Sequence, residues 1–512
     1  MTGPVGGRRI GRARTLAVDV RGAANVVATL LLYLSPAALV PAAVALWYGE
    51  SPWPFVAATA TAAGVGFGAE RLTRGEHRIG PREGFLIVAG TWLLAAAFGA
   101  LPYLLSGEPQ LSRPLDAYFE AMSGFTTTGA SVLVDIEALS RPLLFWRQFT
   151  QWLGGMGIIV LALAVLPRLR VGGRQLLDME LAGPGAEDLS SRIRDTARRL
   201  WLLYVGLTAV VFLTLLALGL SGADDEMSLF DALAHALSTA PTGGFSPRQG
   251  SIGEFAPVTQ WVVAVFLVVG AMNFALLYRA LVRRHPGALG RDEEFRLYLF
   301  LLGLASAVIV LELFRADLFG AEESIRHGVF QAVSIMTASG FVSTDYEAWP
   351  VLATMALVGL MFVGGSAGST SGSVKVIRHL LLGKILRREL DQTVHPELVQ
   401  PIRLNGTVVE ERTLRAVTSF VLLYIGFFIV GASLLAVDAS VNGPELDVLH
   451  AVAAAAAALG NVGPAFGVAG PTGSYAPFSD FSTLVLVALM WLGRLELIPV
   501  VVLATRHYWR SL

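Results

Sequence analysis

Four times in this chain a short amphipathic stretch runs into a small-residue turn centred on glycine, and a long apolar segment follows. The turns read Thr126-Thr127-Thr128-Gly129-Ala130, Ala240-Pro241-Thr242-Gly243-Gly244, Thr337-Ala338-Ser339-Gly340-Phe341 and Gly460-Asn461-Val462-Gly463-Pro464. Their marker glycines (Gly129, Gly243, Gly340, Gly463) lie about a hundred residues apart, room for two membrane crossings with a hairpin between them. A fourfold pore within one chain requires that arrangement, and few other architectures do.

Of 512 residues, 54% are hydrophobic and 15% charged, with a mean hydropathy of +0.61. That balance points to a polytopic membrane protein. Cysteine is absent, which excludes disulfides, thiolate metal sites and palmitoylation. The basic N-terminus (Arg8, Arg9, Arg12, Arg14) has no cleavage pattern after its apolar run and reads as a cytoplasmic anchor.

Segments long enough to span lie near 24–48, 53–70, 84–105, 143–166, 197–220, 257–281, 295–319, 350–386 (interrupted), 410–437 and 480–506. Stretches near 115–128, 229–241, 323–338 and 446–460 are too short to cross and read as re-entrant helices. The expected fold is therefore all-α and polytopic, with four pseudo-repeated units of helix, pore helix, filter turn and helix. The units cover 83–175, 176–290, 291–403 and 404–512, after an N-terminal segment and two extra transmembrane helices in 1–82.

Lysine and arginine set the orientation. Arg71/Arg74/Arg78/Arg82, Arg168/Arg170/Arg174 through Arg198/Arg199, Arg279/Arg283/Arg284, Lys375/Arg378/Lys384/Arg387/Arg388 and Arg506/Arg510 all fall on one side of a ten-span topology. Both termini are then cytoplasmic, and the short helices enter from outside.

Non-helical backbone at membrane depth is tolerated where it lines a water-filled cavity or is buried in protein. Four such turns in register can aim carbonyls at a dehydrated cation. Thr127, Thr128, Thr242, Thr337, Ser339 and Asn461 add uncharged oxygens, a donor set suited to a monovalent ion rather than a divalent one. Asp116, Asp231 and Asp447 stand near the starts of three short helices, as caps would. Glu120, His235 and Arg147 read as packing, capping or structural groups.

The first repeat carries Tyr118-Phe119-Glu120-Ala121-Met122-Ser123-Gly124-Phe125-Thr126-Thr127-Thr128-Gly129-Ala130 and then Gln148-Phe149-Thr150-Gln151-Trp152-Leu153-Gly154-Gly155-Met156-Gly157. With Leu459-Gly460-Asn461-Val462-Gly463-Pro464 in the fourth, the chain resembles the Trk/Ktr/HKT superfamily of potassium transporters over essentially its whole length, specifically the Trk branch. Ala465, where a further glycine is common, and Pro241 depart from the family pattern.

The resemblance implies a potassium filter at Gly129, Gly243, Gly340 and Gly463 with Thr127, Thr128, Thr242, Ser339, Asn461 and Val462. Potassium is the cargo, and no organic cofactor is expected. It also implies a gate in the run Gly364-Gly365-Ser366-Ala367-Gly368-Ser369-Thr370-Ser371-Gly372-Ser373, followed by Lys375. Arg494, mid-span in the last apolar segment, matches a family arginine that raises the barrier to cations below the filter. A homodimer and a cytoplasmic ring of TrkA-type nucleotide-binding regulatory subunits are the implied partners, with no nucleic acid. Gly364-x-Ser366-x-Gly368 also fits a nucleophile elbow, but that motif needs a strand-turn-helix setting. No triad, metal spacing or nucleotide loop marks an enzyme. Two transport alternatives remain at this point: a sodium-permeable member of the same fold, and a proton- or sodium-coupled transporter.

Overall fold

The computed structural model describes residues 18–77, 79–164, 189–442 and 447–510, with side chains in 158–164 and 189–195 left aside. The basic N-terminal residues, Arg78 and Arg168/Arg170/Arg174 lie outside the described residues.

The described residues are mostly helical. Among the described residues, five helices are long and apolar enough to cross a membrane: Val20–Tyr48, Pro81–Ser106, Thr196–Leu220, Glu293–Arg315 and Glu411–Asn442. Two bent pairs raise the number to seven if each is one crossing. Helices Trp53–Thr73 and Arg141–Ala164 fall between these. A two-stranded hairpin, Arg403–Leu404 with Thr407–Val408, turns through Asn405 and Gly406, both in the left-handed region.

The four short helices are Pro114–Phe125, Leu229–Thr239, Ala321–Met336 and Val448–Gly460. Their C-terminal halves are buried on every side; in the fourth, Ala453 through Gly460 are all buried. Small side chains there let neighbouring helices approach closely. Gly154 shows the limit, since a methyl group on it would lie 1.9 Å from the Phe125 carbonyl oxygen. The starts differ from the expected capping. Asp447 is an N-cap residue, but Ser228 caps the second helix, accepting from Asp231 N, and Pro114 opens the first. Asp231 instead pairs with Arg248 at 3.0 Å and Asp116 with Arg113 at 3.7 Å, where first-turn carboxylates still meet the positive helix end.

Three of the four helices that follow the turns break. Only the break in the third unit was legible, as a glycine-rich interruption. Pro257–Gly270 turns by 106° into Phe274–Leu281, and Asp480–Arg494 by 117° into Ile498–Ala504. The sixth and tenth expected spans are therefore not straight rods. At the first of these breaks Asn273 caps the new helix, accepting from Ala275 N at 2.8 Å and Leu276 N at 3.0 Å. At the second, Glu496 and Leu497 both take positive φ ahead of Pro499. In the third unit Val351–Leu360 ends in an irregular loop, and Val376–Val394 resumes after it.

At the other edge of the molecule, His77 sits between two acceptors: Nδ1 lies 3.0 Å from Asp19 Oδ2 and Nε2 2.6 Å from the Thr73 carbonyl. Only imidazolium, with two N–H donors, satisfies both. The Thr73 carbonyl first, and then Asp19, raise the His77 pKa above its ordinary value. A raised folded-state value contributes stability that is complete below the unfolded pKa of about 6.5 and is lost as pH climbs through the raised one. The melting temperature advantage of wild type over His77→Gln in detergent should thus be largest below about pH 6.5 and shrink at higher pH. A pH-independent difference would remove His77 from this role.

Candidate functional site

Each short helix ends in the same way. The amide two residues past its last carbonyl-paired position reaches back five residues: Thr128 N to Ser123 O at 2.9 Å, Gly243 N to Ser238 O at 2.8 Å, Ser339 N to Ser334 O at 2.9 Å and Val462 N to Ala457 O at 2.8 Å. The residue before each of these amides is left-handed: Thr127 (φ 52°), Thr242 (φ 53°), Ala338 (φ 55°) and Asn461 (φ 54°). This is a Schellman cap in which the usual glycine is replaced by a residue with a side chain. Such non-glycine left-handed residues cost energy, β-branched threonine most of all, and persist only where the surroundings hold them.

Two residues after each cap residue comes a left-handed glycine: Gly129, Gly244, Gly340 and Gly463. The second marker is thus Gly244, one residue beyond the expected Gly243. Gly243 takes the place held by Thr128, Ser339 and Val462. Of two adjacent glycines, pattern alone does not show which one adopts positive φ; the cap hydrogen bonds do.

These glycines bring the turns together in a closed cycle. A methyl group on Gly129 would lie 2.5 Å from Gly243 O, on Gly244 1.8 Å from Ser339 O, on Gly340 2.0 Å from Val462 O, and on Gly463 2.4 Å from Thr128 O. First turn meets second, second third, third fourth, and fourth first. On the side of the outgoing segments, a pocket of about 70 Å³ touches all four turns through Gly129, Gly244, Gly340 and Pro464.

Side chains fix the turns from behind. Gln151 donates to Gly243 O at 2.5 Å and accepts from Phe245 N at 3.1 Å. The Tyr475 hydroxyl donates to Gly463 O at 2.8 Å. Asn461 Nδ2 donates to Thr128 Oγ1 at 3.0 Å and Met490 O at 2.9 Å, so this side chain ties the fourth turn to the first. Thr128 Oγ1 also meets Thr126 Oγ1 at 2.7 Å, and Thr242 Oγ1 donates to Pro241 O. The hydroxyls of Thr128 and Thr242 are therefore engaged with protein. Tyr475 carries no local sequence signal; it lies 12 residues beyond the carbonyl it holds.

Nine residues before the marker glycines stand Glu120, His235 and Gln331, and in the fourth unit Ala454. Glu120 accepts from Ser131 Oγ at 3.0 Å, His235 Nε2 lies 3.0 Å from Ser246 Oγ, and Gln331 reaches Ser343 Oγ at 3.5 Å. Glu120 is also fully buried against Arg147, Nε to Oε1 2.8 Å. Arg147 continues to Ser246 O at 3.0 Å and lies over the Phe245 ring at 4.2 Å. It thereby joins the first short helix to the segment leaving the second turn. Arg147→Leu strands a buried carboxylate and should cost about 3–5 kcal/mol of stability, whereas the pair Arg147→Met with Glu120→Leu should recover most of it. Thermal unfolding in detergent measures both, and equal losses in the two would contradict the pairing.

The glycine-serine loop lies directly beneath. A methyl on Gly372 would be 2.3 Å from Gly460 O, and Thr370 Oγ1 lies 3.4 Å from Thr242 Oγ1. The loop is ordered by its own bonds, including Gly364 N to Val374 O at 2.7 Å and Gly365 N to Ser371 Oγ at 2.9 Å. It touches the break after Gly270 through Ser366 N to Ala271 O at 2.9 Å. Lys375 is buried and folds its ammonium back onto Ser371 O and Ser369. Gly368 is left-handed at φ 71°.

Arg494 ends the helix Asp480–Arg494 and is 2% exposed. Nη1 donates to Thr370 O at 2.9 Å and Nη2 to Gly154 O at 3.3 Å. No carboxylate pairs with it among the described residues; Glu496 pairs with Arg378 instead. A cation without a direct carboxylate partner among the described residues is thus held between the loop and the first unit, below the turns. No cluster of three or more metal-ligating side chains occurs among the described residues, so any ion at the turns would meet mainly backbone and hydroxyl oxygen.

The chain's relatives agree in extent as well as in kind. It is 38% identical over 498 residues to the Trk system potassium uptake protein TrkH of Salmonella typhimurium, covering 96% of this chain and 99% of that one. Against the TrkH of Halomonas elongata the identity is 37% over 501 residues, covering 96% and 100%. The crystal structure of the potassium transporter TrkH from Vibrio parahaemolyticus superposes with a TM-score of 0.85 at 35% identity, over 96% of this chain and 100% of that one. With residues 59–510 also matching the TrkH cation transport protein family, the chain belongs to that family.

Proposed function

We propose that this protein takes up potassium across the bacterial inner membrane through an axis enclosed by the four turns. The observation that carries the reading is the closed cycle of turns with one shared backbone conformation. Four short helices point their negative C-terminal ends into that cycle, which favours a cation. Uncharged oxygen without acidic ligands suits a monovalent ion.

In this reading the chain crosses the membrane ten times with both termini in the cytoplasm. Four units of helix, pore helix, filter and helix surround the pore, behind two extra N-terminal helices. The Tyr508 hydroxyl donates to Arg82 O at 2.8 Å and Lys384 pairs with Glu293, which places each pair of basic segments on one side, and an excess of lysine and arginine marks the cytoplasmic side. The membrane potential drives inward movement at about 2.3 kcal/mol per charge per 100 mV. The loop 364–373 gates from below, with Arg494 as a fixed positive barrier. A homodimer associated with a cytoplasmic ring of nucleotide-binding subunits completes the working assembly.

Isotope uptake in cells lacking their own potassium uptake systems tests this. Expression should restore growth and uptake at low external potassium, with sodium a weak competitor. Failure to restore uptake with the protein present in the membrane would count against the reading. Equal competition by sodium would replace it with a poorly selective cation pathway.

A further inference from the structure

Helix Glu293–Arg315 opens on three consecutive acids, and each is engaged. Asp292 caps the helix by accepting from Phe295 N at 2.8 Å, and its other oxygen accepts from Asn405 Nδ2 at 2.8 Å. Glu293 accepts from Asn405 N at 2.8 Å and pairs with Lys384. Glu294 is 4% exposed, and a single oxygen, Oε1, accepts from Ala367 N at 2.6 Å and Ile377 N at 3.2 Å. Those two amides bracket most of the loop beneath the turns.

We infer that Glu294 is a positioning residue that holds this loop closed, and that the acidic triplet links the loop to the hairpin at Asn405. The inference rests on the reading of the loop as a gate. Buried hydrogen bonds cost more to leave unmade than exposed ones, and both here converge on one oxygen. Moving that atom weakens both ends of the loop together, which makes release concerted. The hairpin is suited to move with helix Val376–Val394, because Leu404 packs in one apolar cluster with Ile377 and Leu381. A displacement of that cytoplasmic unit reaches Glu294 through Asn405 and the two preceding acids, along covalent and hydrogen-bonded links only.

The test uses the full-length chain in proteoliposomes under an imposed potassium gradient, together with hydrogen–deuterium exchange over 364–377. Glu294→Leu removes the acceptor but keeps the volume. Flux and exchange at Ala367 and Ile377 should each rise about tenfold or more, from loss of two buried hydrogen bonds. Glu294→Gln retains an acceptor oxygen at the same place and should restore most of the wild-type behaviour. Asn405→Gly keeps the left-handed turn on an exposed hairpin, so folding is not at risk, and should give an intermediate rise in exchange. Wild-type exchange in both Glu294→Leu and Asn405→Gly overturns the inference, as does Glu294→Gln behaving like the leucine variant. If the leucine variant is not recovered, Asn405→Gly decides alone. A wild-type protein that passes no potassium defeats the pore reading instead, while the exchange arm still decides the tether.

Discussion

Gly340→Ala should abolish potassium uptake while leaving the protein in the membrane. The added methyl would sit 2.0 Å from Val462 O and 2.5 Å from Pro464 Cδ, at a φ of +76° that alanine resists. Neither contact can be relieved by swinging a flexible side chain, because both neighbours belong to the next turn. The backbone must move, by several tenths of an ångström or more, where carbonyl positions decide how well a dehydrated ion is replaced in its shell. Strained backbone alone costs about 1–3 kcal/mol; with displaced carbonyls added, flux should fall at least about a hundredfold. Gly426→Ala is the matched control, since nothing lies within 4 Å of the added atom and alanine favours a helix over glycine. The second unit gives a sharper comparison. Gly244→Ala meets Ser339 O at 1.8 Å with φ at +79°, whereas Gly243→Ala meets the movable end of Gln151 at 2.5 Å. The Gly244 variant should therefore be the more damaging of the two, although Gly243 is the one sequence pattern selects.

Arg494→Ala should do the opposite and raise flux. A buried guanidinium that donates to Thr370 O and Gly154 O, with no carboxylate bonded to it among the described residues, places a positive charge near the path below the turns. At an effective dielectric of about 20, a unit charge some 4–8 Å away opposes a passing cation by about 2–4 kcal/mol. Removing it should speed potassium movement about tenfold or more, and also free Thr370, loosening the loop. Arg494→Lys separates the two effects. It keeps the charge but cannot bridge two carbonyls in a planar fork, so a variant that stays slow assigns the barrier to charge, and one that speeds up assigns it to the bridge. Unchanged flux in Arg494→Ala would remove the residue from the mechanism.

The short helices and the glycine-serine loop were legible because each carries a local signal: a stretch too short to cross, or small residues that cannot hold a rigid helix. The breaks after Gly270 and Arg494 were not, since 257–281 and 480–506 read as mainly apolar spans without a glycine-rich run. Asn273 as a cap and Pro499 near a new helix start were the available signals, and both are weak inside hydrophobic sequence. Glu294 looked like an ordinary first-turn acid, and Tyr475 like a loop aromatic. Their roles come from chain segments 73 and 12 residues away, which only the folded packing brings near. Asp116 and Asp231 were placed at the correct helix ends but given the wrong partners, because a first-turn carboxylate and an N-cap differ by only a few positions.

Potassium flux through the purified chain in proteoliposomes, driven by an imposed membrane potential, tests the shared pathway most directly when wild type is compared with alanine at Gly129, Gly244, Gly340 and Gly463 in turn. One axis enclosed by all four turns requires that each single substitution suppress potassium flux while Gly426→Ala does not. Flux at the wild-type level in any folded variant of the four would mean that the turns do not enclose a single path.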